Sequence, residues 1–337
     1  MIEAKALCIK EHERVLLDGL SFLIEGKGIH GVLGPVGSGK TALTRLLMGD
    51  LFPTEGELLF AGESLSKQNE KQILLRKKKI GYMPTDLSPY ESMTLFELLT
   101  FVGRAKGVES ERLFRQSVEA LRLVELEEYA HCLISVLNNA DRRRFAIAVS
   151  LVGNPELLIL DEPTAGLGVM AAEEIRALIE LLGTKKMILL CSRFPEEIEL
   201  LCTDLLLLSR GKQVLFDSVE GLKEKLKRLE TLTLNVRAPK PLAETLCEKL
   251  STLSFVETCK TAGAAPNGGY LLRLEAKPAA DRRQQIEALL EAERVSLLSY
   301  DSVRLTLEDT YLALTEPAPE KTKTQKKSRV RRTETSR

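Results

Sequence analysis

The sequence predicts an α/β fold: a large domain of mixed sheet and helices built on a phosphate-binding loop, then a small ferredoxin-like α+β domain. Three observations carry this. Gly34-Pro35-Val36-Gly37-Ser38-Gly39-Lys40-Thr41 is a glycine-rich loop between the apolar run 29–33 and the amphipathic stretch 42–48. Leu157-Leu158-Ile159-Leu160-Asp161-Glu162 is a continuous apolar run ending in two carboxylates. After Leu229 the pattern changes to strand, helix, two strands, helix, strand.

The loop has P-loop spacing, with four residues between Gly34 and Gly39-Lys40-Thr41. Its glycines let successive backbone N–H groups turn inward around a phosphate, and the helix starting near Lys40 adds the positive end of its dipole. Residues 34–39 are the expected cradle for a nucleotide's phosphates, Lys40 reaches the β- and γ-phosphates, and the Thr41 hydroxyl ligates Mg²⁺. A continuous apolar run suits a central parallel strand buried on both faces. Asp161 then lies where open α/β sheets bind ligands, placed to hold Mg²⁺ through water. Glu162 is the candidate catalytic residue, orienting or deprotonating the attacking water.

Other elements follow from local pattern. Short strands are expected over 4–9, 21–24 and 58–60, punctuated by turns at Asp18-Gly19 and Ala61-Gly62. Residues 80–83 form another, stopped by Pro84. Thr94 and Glu97 make a capping box at the start of a helical period, and a second helix covers 111–124. A helix over 169–182, a strand over 187–191, a helix over 195–202 and a hairpin turning at Arg210-Gly211 complete this part.

Composition narrows the function classes. The 337 residues allow about two domains. The acidic and basic residues balance at 48 each, so the chain has no general attraction to nucleic acid. The longest apolar runs, such as 205–208, are far too short to cross a bilayer. Residues 1–5 lack the regions of a signal peptide. Six scattered cysteines with no C-x-x-C pair are expected as reduced thiols. His12, His30 and His131 form no metal-ligand spacing with them.

On these residues the sequence resembles the ATP-binding subunits of ABC transporters over 1–228. GPVGSGKT, the run IGYMPTDLSPYESMTLFELLTFVGRAKGV at 80–108 and ELLILDEPTAGL at 156–167 stand in family order. The run 80–108 is most similar to ATPases paired with export permeases of the drug-resistance and gliding-motility kind. The resemblance implies a helical subdomain over residues 84–145 and an ATPase that moves a separate integral-membrane permease. It also implies a homodimer, or a heterodimer with another ABC ATPase subunit, peripheral to the cytoplasmic face of the membrane. Two alternatives stand beside it: an ATP-gated regulatory or scaffold subunit with weak turnover, and a soluble non-transport ABC protein.

Several positions depart from the family. The signature loop reads Leu137-Asn138-Asn139-Ala140-Asp141; in the family it clamps the γ-phosphate held by the partner subunit. Asn138 can still cap the next helix. Ala140 crowds a glycine position. Asp141 repels a polyanion unless Arg142, Arg143 or Arg144 offsets it, or these arginines merely solvate a helix face. The family's Gln or Glu after the strand at 80–83 is Thr85, its switch histidine is Arg193, and the aspartate after Gly166-Leu167 is Gly168. The aromatic that stacks on adenine is Glu11 or His12. Thr85 and Arg193 would act on the chain's own nucleotide, the 137–141 loop and Gly168 on the partner's. Retained ATP binding with slowed turnover is the expectation.

Residues 231–315 follow split βαβ order: strand 231–236, helix 241–250, strands 255–259 and 270–274, helix 281–291, strand 295–300. Residues 302–314 resemble the SLEDVFLALT ending of the same export branch. This unit is read as a dimerisation or regulatory appendage. Residues 316–337 are rich in Pro, Thr, Lys and Arg and are expected to be disordered. Their basic run suits an anionic leaflet, a non-specific nucleic-acid contact or plain solvent, with no specific nucleic-acid partner expected.

Overall fold

The computed structural model describes residues 1–311 except 67–68, 228–229, 266–268, 278–280, 305–306 and 310. The tail at 316–337, expected to be disordered, lies outside the described residues, as does part of the stretch 302–314. The chain opens with β1 (Ile2–Glu11), β2 (Arg14–Ile24), β3 (Gly28–Leu33), α1 (Lys40–Met48), β4 (Glu55–Phe60), β5 (Glu63–Ser64), α2 (Glu70–Lys79) and β6 (Ile80–Tyr82). Three helices follow, α3 (Leu95–Ala105), α4 (Ser110–Leu123) and α5 (Asn139–Leu151). Then come β7 (Leu157–Asp161), α6 (Val169–Gly183), β8 (Met187–Ser192), α7 (Pro195–Leu201), β9 (Asp204–Ser209), β10 (Lys212–Ser218) and α8 (Val219–Lys227).

These ten strands form one mixed sheet in the order β5-β4-β1-β2-β10-β9-β3-β8-β7-β6. The run β9-β3-β8-β7-β6 is parallel throughout, whereas β1 pairs antiparallel with β2 and β4. Side chains alternate along the parallel strands, so each strand feeds two cores. Leu33, Leu158, Leu160, Ile188 and Leu190 pack with residues of α3 to α7 on one face. Val32, Leu157, Ile159, Leu189 and Cys191 pack with α1, β1, β2 and β4 on the other. That double burial is why 157–160 carries no polar residue. The register sets Leu33 beside Ser192, and Cys191 beside Asp161. The segments leaving β3, β7 and β8 therefore emerge at one sheet edge.

Asp18-Gly19, expected as a turn, lies within β2, at a register shift opposite β1, and the chain turns instead at 12–13 with His12 at φ 56°. Helix α2 was not expected from its charged sequence. Its signal was there: Asn69 and Gln72 form a reciprocal capping box. The capping box at Thr94 and Glu97 is present as expected, with bonds of 3.2 and 2.8 Å.

The remaining elements are β11 (Glu230–Val236), α9 (Lys240–Leu250), β12 (Val256–Ala264), β13 (Tyr270–Ala276), α10 (Arg282–Ala292) and β14 (Leu297–Arg304). They make an antiparallel sheet ordered β12-β13-β11-β14, the split βαβ arrangement. Both helices share a separate core with it, around Leu232, Leu234, Leu246, Leu272, Leu274 and Ile286. Cys247 and Cys259 are joined as a disulfide, with Cα atoms 5.5 Å apart. The expectation of six free thiols is thus corrected for these two. They stand twelve positions apart in sequence, and only the packing of α9 on β12 makes them neighbours. Leu307 lies beyond this sheet, yet it is 4% exposed and belongs to the core of the first one, together with Val219 and Leu222.

Candidate nucleotide site

Gly34 leaves β3 with its N–H bonded to the Ser192 carbonyl, 3.2 Å away. A Cβ at Gly34 would lie 2.5 Å from the Leu208 carbonyl, so the loop can pass β9 only as glycine. Gly39 caps α1 at φ 111°, a conformation that L side chains rarely adopt. The Ser38 carbonyl accepts from Gly211 N–H at 2.9 Å, which seats the β9–β10 turn against the loop.

The loop encloses a cavity of about 790 Å³ with the ends of β7 and β8. Val36, Gly37, Ser38, Gly39, Lys40 and Thr41 line it, together with Asp161, Glu162 and Arg193. Residues named from two distant stretches of sequence are thereby brought together. Lys40 is only 7% exposed and donates to the carbonyls of Gly34 and Pro35, the latter at 3.2 Å. Its ammonium also lies 3.8 Å from Glu162 Oε1. Arg193 Nε lies 3.9 Å from Glu162 Oε2. The Glu162 carboxylate thus sits between two cations.

Glu162 adopts φ 50°, a strained value for a residue with a side chain, and its N–H is held by the Cys191 carbonyl at 2.9 Å. Burial pushes the pKa of its carboxyl up from 4.5, against the pull of Lys40 and Arg193. Burial likewise raises that of Asp161, opposed by Lys40 and Arg143.

The residues fit a nucleoside triphosphate with a hard divalent cation. The Ser38 hydroxyl is buried without a hydrogen-bond partner, inside a loop of positive-φ glycines. A hydroxyl at Thr41 and carboxylates at Asp161 and Glu162 are the oxygen donors that such a cation takes alongside substrate phosphates. Arg14, Arg45 and Arg210 also line the cavity; sequence reasoning missed them because they stand at the start of β2, on the outer face of α1 and in the β9–β10 turn. Glu11 lines it too, and no aromatic ring does among the described residues.

The family-departing positions fall in different places. Arg193 is in the cavity. Thr85 is not: it lines a cleft of about 260 Å³ with Asn139, Arg142, Arg143 and Gly166. Asn138 caps α5, its side chain accepting from Asp141 N–H at 3.0 Å and its amide donating to the Asp141 carboxylate at 2.6 Å. Asn139 and Ala140 form the first turn of α5, Asn139 exposed and Ala140 half-buried. The three arginines do not merely solvate a face. Arg142 bonds Glu91 at 2.7 Å, Arg144 bonds Glu174, and Arg143 reaches the Ala165 carbonyl at 3.4 Å. Gly168 precedes α6 at φ −71°, with open space where a Cβ would stand.

Residues 17–165 match the model of the family described as "ABC transporter". "Nod factor export ATP-binding protein I" of Cupriavidus metallidurans is 31% identical over 263 residues, covering 69% of this chain and 86% of that protein. Its namesake in Ralstonia nicotianae is 32% identical over 203 residues, and there the chain spans 62% of the relative's length. Among solved structures, the dimeric post-hydrolysis state of the ATP-binding cassette MJ0796 bound to ADP and Pi superposes with a TM-score of 0.59 at 21% identity. It covers 65% of this chain and 99% of that one. This likeness shows the fold.

Proposed function

The chain belongs to the ABC transporter family, and on that premise we propose that it is the ATP-binding subunit of an exporter, coupled to a separate membrane permease. The observation that carries this is the single cavity holding the 36–41 loop, Asp161, Glu162 and Arg193. In this reading the loop 34–39 wraps the phosphates and Lys40 binds them, while Thr41 and Asp161 hold Mg²⁺. The cation, when bound, offsets the charge that builds on the phosphates. Glu162 takes a proton from the attacking water. Relatives named for Nod factor export support the export branch, and a solved dimeric cassette supports a paired form of this chain. No helix among the described residues is long and apolar enough to cross a membrane, which suits a peripheral subunit on the cytoplasmic face. Residues 231–315, which carry most of the second sheet, are read as a dimerisation or regulatory appendage.

A second reading, a nucleotide-gated subunit with little turnover, is favoured by Arg193, whose Nε lies 3.9 Å from Glu162 Oε2 and can hold that oxygen away from a water. Binding of a fluorescent ATP analogue to wild type and Lys40→Ala tests the first step. Loss of binding in the variant is expected; equal affinity overturns the assignment. Phosphate release by the wild type then separates the two readings.

A further inference from the structure

Glu197 is 1% exposed, in the first turn of α7, and takes no part in the site described above. A carboxylate buried so deeply loses its hydration and persists where hydrogen bonds compensate. Here both oxygens are used. Oε1 accepts from the Thr164 hydroxyl at 2.9 Å and Oε2 from the Ser192 hydroxyl at 2.6 Å. Ser192 Oγ in turn accepts from Phe194 N–H at 3.1 Å. Thr164 and Ser192 are themselves buried.

The two hydroxyls come from the two segments that carry the site. Thr164 stands two residues after Glu162, in a turn closed by Ala165 N–H to the Glu162 carbonyl at 3.2 Å and Leu167 N–H to the Thr164 carbonyl at 3.2 Å. Ser192 stands immediately before Arg193, and its neighbour Cys191 supplies the carbonyl that holds Glu162 N–H. One carboxylate therefore bridges the turn after β7 to the end of β8. A backbone at φ 50° persists only when its surroundings over-determine it, and this bridge is what the surroundings supply.

We propose that Glu197 is a positioning residue for ATP hydrolysis, bracing the strained Glu162 turn against the end of β8 so that the Glu162 carboxylate faces the cavity. The inference rests on the ATPase reading of the site but not on any contact of Glu197 with nucleotide.

Hydrogen exchange of the nucleotide-free protein, ATP affinity and single-turnover hydrolysis are compared for wild type, Glu197→Ala and Glu197→Gln. In Glu197→Ala the amides of Ala165, Leu167 and Phe194 should exchange about tenfold faster or more, with the 34–41 loop unchanged. Hydrolysis should fall about tenfold while ATP affinity stays within about twofold, a split that general destabilisation does not produce. Glu197→Gln keeps groups that reach both hydroxyls and should stay within about threefold of wild type. Should Glu197→Ala fail to fold, Thr164→Val removes one of the two bonds and should show the same pattern in smaller degree. Unchanged exchange and hydrolysis in the alanine or valine variant, or equal losses in alanine and glutamine variants, would overturn the proposal. Failure of wild type to bind ATP would instead sink the nucleotide reading, while the exchange data still decide whether Glu197 braces the turn.

Discussion

Burial and the neighbouring cations pull the Glu162 carboxyl in opposite directions. Burial disfavours its ionised form, and Lys40 and Arg193 favour it, with burial the larger effect. The base form is needed for water activation, and bound phosphates add negative charge that raises the pKa further. The acid limb of turnover against pH should therefore lie above 4.5, and Glu162→Gln should remove most turnover while ATP remains bound. A limb at or below the ordinary glutamate value would show that another group is titrating. Arg193, half-exposed beside the same carboxylate, gives a test of sign. If it mainly withdraws Glu162 from the water, Arg193→His raises turnover, by up to about tenfold or roughly 1.4 kcal/mol of barrier. We expect that direction. A slower rate or weaker ATP binding would show instead that its guanidinium stabilises the γ-phosphate, as an arginine finger does.

At the scale of an element, α5 shows how a changed motif keeps its structural work. The stretch 137–141 has lost the family's glycines, yet Asn138 still satisfies a free N–H at the helix start, and the Asp141 charge is met by the Asn138 amide and by Arg144 at 3.9 Å. Asn138→Ala should cost about 1 kcal/mol of unfolding free energy, measured by chemical denaturation, and Asn138→Ser should largely preserve it. A loss below a few tenths would mean that the cap contributes little here. The fixed charges that remain on the helix start, not its stability, are then what distinguish it from a glycine-rich phosphate clamp.

The whole molecule has two sheets with separate cores, but its chain crosses between them twice. After β14 it returns to place Leu307 among Val219, Leu222 and the helices of the first core, with Tyr311 packed against that core. Burial raises the Tyr311 phenol above its ordinary value, and Glu162 and Arg193 both act on it electrostatically. Removing 231–315 therefore takes away more than a second sheet. Leu307→Ala should destabilise the first core by about 2–5 kcal/mol, whereas Leu290→Ala, in the second core, should leave ATP binding intact. Unfolding curves followed with and without ATP distinguish the two. A negligible effect of Leu307→Ala would show that the ATPase unit ends at 228, as the sequence pattern alone suggests.

Much of this protein was legible from sequence because the requirements are local. A loop that wraps a phosphate needs glycines at set positions, as Gly34 and Gly39 show. A strand buried on both faces needs the unbroken apolar run 157–160 that leads into Asp161. Thr94 and Glu97, three residues apart, declare a helix start without reference to anything distant. What stayed hidden depends on sheet order and register. Arg14 and Arg210 reach the cavity because β2 and β10 are neighbours, although nearly the whole domain separates them along the chain. Cys247 and Cys259 pair because α9 lies on β12. Glu197 reads in sequence as a solvated helix residue, and only the parallel alignment of β7 with β8 sets Thr164 and Ser192 on either side of its carboxylate. Local backbone chemistry thus named the phosphate loop and its carboxylates, while long-range pairing decided which distant side chains surround and brace them.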